Sequence, residues 1–115
     1  MFNSFQSKTL SLSMEQAKTN LAKDTSIKLI DVRAPKEYSQ GHIPGGINIP
    51  LDKASDIETI LPDKNEKLYV YCQSGMRSKS ASELFKKIGY TDITDIGGIS
   101  SWKGDIVKKQ VGKRS

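Results

Sequence analysis

Apolar positions fall at helical spacing in some stretches and in short unbroken runs in others. Met14, Ala17 and Leu21 recur at helical spacing, and Ser13 with Gln16 resembles a capping box, so a first helix is predicted there. Lys28 to Val32 reads as a short strand around Leu29 and Ile30. Pro35 opens a helical turn that carries Glu37 and Tyr38. Gly and Pro crowd residues 41–46 into a loop, and Ile47 and Ile49 alternate with Asn48 as a short strand. Asp52 to Leu61 reads as a second helix, closed by Pro62.

Lys67 to Cys72 is the clearest strand. Leu68, Tyr69, Val70 and Tyr71 are all strand formers, and an unbroken apolar run suits a strand covered on both faces. A polar loop containing Gly75 follows. The next helix is predicted from about Arg77 to Ile88, with Ala81, Leu84, Phe85 and Ile88 as its apolar stripe and Gly89 at its end. Ile93 to Ile96 reads as a last strand, followed by Gly97-Gly98 and a turn bearing Trp102. Strands alternating with helices predict an α/β domain: a central, mainly parallel sheet flanked by helices on both faces. One domain is expected over residues 13–108, with 1–12 and 109–115 as loosely ordered termini.

Composition narrows this picture. A length of 115 residues suits one modest core, and 27% charged residues is an ordinary globular share. No apolar run approaches the roughly 18 residues of a membrane span, and the first residues lack the apolar core of a secretory signal. A cytoplasmic location and no membrane partner are therefore expected. Basic residues Lys103, Lys108, Lys109, Lys113 and Arg114 gather near the end of a chain of net charge +5. No aromatic residues are interleaved with them, so they read as a solvated tail and not as a nucleic-acid platform.

One cysteine and one histidine leave no internal disulfide and no Cys- or His-rich metal site, and no metal or cofactor is expected. The same count removes any internal resolving thiol, so an adduct on Cys72 must be discharged from outside. Cys72 falls at the end of a strand, where active sites of parallel sheets lie. In Cys72-Gln73-Ser74-Gly75-Met76-Arg77-Ser78 a helix begins within a few residues of the thiol. Amides of the loop and first helical turn lack intrahelical acceptors and can form an anion-binding nest. Gly75 permits a positive φ, and Arg77 adds a fixed positive charge. These features favour the thiolate over the thiol.

With those residues in view, the chain resembles the rhodanese-like domain family. Asp31-Val32-Arg33, Glu37-Tyr38 and Gly41-His42-Ile43-Pro44-Gly45 resemble its first signature, and Ile49-Pro50-Leu51 follows in place. Cys72 to Ser78 resembles its active loop, and Gly97-Gly98-Ile99 with Trp102 its closing signature. The resemblance implies a thiosulfate sulfurtransferase with Cys72 as nucleophile. Cys72 would take the outer sulfur of thiosulfate or another sulfane donor as a persulfide. The amides of Gln73, Ser74, Gly75, Met76, Arg77 and Ser78 would hold that sulfur. A thiol, or cyanide in an assay, would remove it. Other readings are a persulfide relay fed by a protein donor and a catalytically silent binding module. Cysteine phosphatases resemble one another in Cys-x5-Arg, whereas this loop is Cys-x4-Arg and suits a smaller group. An arsenate reductase would draw on further cysteines.

Asp31 and Arg33 follow a strand and are candidate supporting residues, with Asp31 nearer the loop. Glu37 is a candidate partner for Arg33. His42 is expected to serve structure, and Trp102 to cover the core or the edge of the site. Ser74 and Ser78 are candidate donors to a bound anion, Ser78 also a helix cap. Gln73 and Met76 are expected to shape the entrance.

Overall fold

A computed structural model describes residues 9–108. Its strands are β1 (Thr9–Ser11), β2 (Lys28–Asp31), β3 (Ile47–Asn48), β4 (Lys67–Cys72) and β5 (Asp92–Gly98). They form one sheet in the order β1-β5-β4-β2-β3, and every pairing is parallel. The helices are α1 (Met14–Lys23), α2 (Pro35–Gln40), α3 (Ile57–Ile60) and α4 (Met76–Ile88).

Alternation along the central strand explains the two-faced core. Leu68, Val70 and Cys72 pack with Ile57, Ala81 and Phe85 of α3 and α4 on one face. Tyr69 and Tyr71 pack with Met14 and Ala17 of α1 on the other, as does the partly buried Trp102. Helices therefore cover both faces, as the apolar run of β4 requires. Trp102 belongs to the α1 face, whereas Cys72 belongs to the α3–α4 face.

The winding of the chain makes a crevice. From β2 the chain passes outward to β3; from β4 it passes the opposite way to β5. The neighbouring ends of β2 and β4 thus lie where the connections diverge, the place such sheets keep for ligands. Asp31 ends β2 and Cys72 ends β4.

Several local expectations need correction. Thr9–Ser11 forms an edge strand beside β5, inside a stretch read as loose; three largely exposed residues carry no apolar alternation. Residues 1–8 and 109–115 lie outside the described residues. The helix expected over Asp52–Leu61 is instead a 3₁₀ segment, Leu51–Asp56, joined to the short α3. Lys53 leaves helical geometry there (φ −125°, ψ 31°). The last strand extends past Ile96 to Gly98, with a register irregularity opposite Val70/Tyr71.

The buried stripe of α4 is also rotated from the expected one. Ser78, Ala81, Ser82 and Phe85 are buried at i, i+3, i+4 and i+7, while Leu84 is 38% exposed. Phe85→Ala should therefore cost about 3–5 kcal/mol and Leu84→Ala under about 1 kcal/mol, read from urea unfolding. Equal losses would place the stripe where the apolar pattern alone puts it.

Candidate active site

The loop after β4 turns at Gly75, whose φ of 113° is open to glycine and strained for other residues. That turn swings the Gly75 amide back to donate to Cys72 Sγ at 3.0 Å. Cys72 itself is 1% exposed, packed in the cluster that holds Val32 and Ala81. Apolar side chains thus enclose the residue while an amide dipole faces its sulfur. The amides of Met76, Arg77 and Ser78 open α4 and find no acceptor among the described residues. Ser74 and Met76 are exposed, Met76 by 80%.

Four anchors hold this loop. The first is a close approach at β5. A Cβ on Gly98 would stand 2.3 Å from the Gln73 carbonyl oxygen, so only glycine admits the loop there. The same carbonyl accepts from the Ser100 amide at 3.3 Å. The second is Ser78, whose buried hydroxyl lies 2.8 Å from Asp95 Oδ1 and 3.0 Å from the Gly75 carbonyl. Both partners are acceptors, so its single hydrogen is held within the loop's own framework. Ser78 is therefore not the expected helix cap: Gly75 occupies that position without a side-chain bond.

The third anchor is Arg33. It is buried beside Asp31, with Nη2 2.8 Å from Oδ2, and also donates to the Gly41 carbonyl at 2.6 Å. Its Nη1 reaches Gln73 Oε1 at 3.3 Å. Burial opposes the Arg33 charge, the Asp31 carboxylate supports it, and the net effect raises its pKa. The contact with the loop comes from Arg33, with Asp31 behind it, which reverses the order expected from sequence.

The fourth anchor joins residues 40 positions apart. Arg77 Nη1 and Nη2 donate to Glu37 Oε1 and Oε2 at 2.7 and 3.0 Å. Glu37 thus pairs with Arg77 and not with Arg33. Arg77 holds the Glu37 carboxyl down at about 2, against an ordinary 4.5; partial burial opposes this and the Ala34 amide assists. Beside this pair lies a groove of about 330 Å³ lined by Val32, Ala34, Pro50, Leu51, Asp52 and Arg77.

His42 is buried away from this chemistry. Its Nδ1 bonds the Tyr38 carbonyl at 2.9 Å, its ring stacks on Tyr38, and its backbone bridges to Val107. Among the described residues no three Cys, His, Asp or Glu side chains gather as a metal site needs, and no helix is long and apolar enough to cross a membrane.

Two residues were missed in the sequence. Asp95 accepts from both Ser78 and the Gly97 amide, and its signal was a carboxylate midway along β5, beside the strand that ends in Cys72. Gly98 was read only as part of a signature. Gly98→Ala should displace the loop and cost about 1–3 kcal/mol by urea unfolding. Iodoacetamide should then label Cys72 at a changed rate; unchanged stability and labelling would remove Gly98 from the framework.

Comparison with known proteins identifies the family. The model of the rhodanese-like domain family matches residues 13–105. Thiosulfate sulfurtransferase PspE of Escherichia coli is 45% identical over 71 residues, 61% of this chain and 68% of its own length. The putative sulfur carrier protein YrkF of Bacillus subtilis is 34% identical across 81% of this chain, and the chain spans 50% of its length. A solved rhodanese with anions from E. coli superposes with a TM-score of 0.67 at 41% identity, covering 71% of this chain and 98% of that one. Matched by the family model over residues 13–105, most of its length, the chain belongs to the rhodanese-like domain family.

Proposed function

We propose that the protein is a sulfurtransferase that carries a sulfane sulfur as a persulfide on Cys72. The observation that carries this reading is the 3.0 Å bond from the Gly75 amide to Cys72 Sγ, beside further amides without acceptors at the start of α4. Such donors cost no reorganisation when charge arrives, which makes them effective stabilisers of an added anionic atom.

In the first half-reaction the Cys72 thiolate attacks the outer sulfur of thiosulfate. A new S–S bond forms, the sulfur–sulfur bond of thiosulfate breaks, and sulfite departs with the electron pair. The terminal sulfur keeps the negative charge and lies among the loop amides of Gln73 to Ser78. In the second half-reaction a thiolate, or cyanide, attacks that terminal sulfur and Cys72 leaves as thiolate. No proton moves in either step, so no general base is required. His42, held on the Tyr38 carbonyl, is not needed for one.

Thiosulfate is favoured as donor by the name of the E. coli relative, and a protein persulfide donor by the sulfur-carrier name of YrkF. Burial of Cys72 supports either, since a water-poor setting protects a reactive persulfide. A silent binding module would have no use for an amide aimed at a thiol.

Intact mass separates sulfur transfer from a silent module. Wild-type protein treated with thiosulfate and freed of reductant should gain about one sulfur atom, and Cys72→Ser should gain none while folding normally. Full thiosulfate turnover by the serine variant would overturn the mechanism.

A further inference from the structure

Arg77 supplies the single positive side chain of the loop from Cys72 to Ser78, yet it does not face the groove as a free cation. A guanidinium has five N–H donors, and here two are taken by one carboxylate in a bidentate pair. The partner is fixed independently of Arg77. Glu37 Oε1 also accepts the Ala34 amide at 2.9 Å, the reach-back bond of a capping box at the start of α2. The carboxylate would therefore stay in place if Arg77 turned towards a ligand. Any anion drawn to Arg77 at the loop meets a stationary negative charge within hydrogen-bond distance of the cation it seeks.

We propose that Glu37 is a positioning residue that cancels much of the Arg77 charge, so that the site selects against dianionic sulfur donors in favour of donors of lower charge. This rests on the sulfur-transfer reading of Cys72 and deepens it by naming the donor class. Persulfides and thiosulfonates, singly charged at the reacting end, are the donors it fits; thiosulfate is accepted at a penalty. The low pKa of Glu37 keeps this counter-charge present throughout the neutral range. Both side chains are about one-third exposed, so the penalty is moderated by solvent.

Coulomb energy is linear in ligand charge, which supplies a graded test. Thiosulfate carries two charges and methanethiosulfonate one; the latter also delivers its outer sulfur to the Cys72 thiolate, with methanesulfinate leaving on the electron pair. Glu37→Gln keeps a carbonyl acceptor for Ala34 and removes the charge. KM for thiosulfate should fall roughly tenfold and KM for methanethiosulfonate roughly threefold, the square root, while the loss of kcat from slackening this loop anchor should be the same for both donors.

Arg77→Gln uncovers the Glu37 charge and should raise both KM values with the same grading, so the test stands even if one variant folds poorly. The double variant should return both KM values to within about threefold of wild type. Equal changes for the two donors, or none, would overturn the inference while leaving sulfur transfer intact. Failure of wild-type protein to take sulfur from either donor would instead overturn the reading of Cys72 on which it rests.

Discussion

An amide that points back at the sulfur three residues before it requires a backbone turn that costs a side-chain-bearing residue dearly. Gly75 makes that turn at φ 113°, and the 3.0 Å contact with Cys72 Sγ is its product. The remaining features of the site keep this one turn from relaxing. Gly98 admits the loop against β5, Ser78 locks it through Asp95, Arg33 holds Gln73, and Arg77 clasps Glu37. The anchoring partners lie on β5, on the segment after β2 and on α2, so the loop is over-determined in the way strained functional turns must be.

The placement of the loop follows from topology. A parallel sheet covered on both faces leaves only its strand ends open to a ligand, and the diverging connections after β2 and β4 open a crevice at one of those ends. Burial of Cys72 follows too, because its side chain continues the Leu68, Val70 alternation into the α3–α4 core. A charge on that sulfur would be opposed by its apolar neighbours and favoured by the amides. The chemistry depends on the second effect prevailing.

Much of this was legible in the chain and part of it was not. The β4 strand, the glycine turn and the start of α4 are local features, written in contiguous residues, and the structure places them within a residue of the reading. The partners of Glu37, Arg33 and Ser78 were misassigned or missed because each contact closes across tens of residues, and charge alone does not say which cation a carboxylate meets. The α4 stripe shifted because small serines fit a tight helix–sheet contact that a hydrophobicity count assigns to Leu84. The edge strand Thr9–Ser11 is specified by its neighbour Asp92–Gly98 and leaves little mark of its own.

Amide proton and nitrogen chemical shifts of residues 73–78, recorded before and after sulfur loading, address the central claim at the atoms concerned. The amides of Gly75 and of the first turn of α4 should move downfield together as they take hydrogen bonds to the added sulfur, while those of β2 and α1 stay in place. Sulfur bound to Cys72 with these amide signals unmoved would contradict the account.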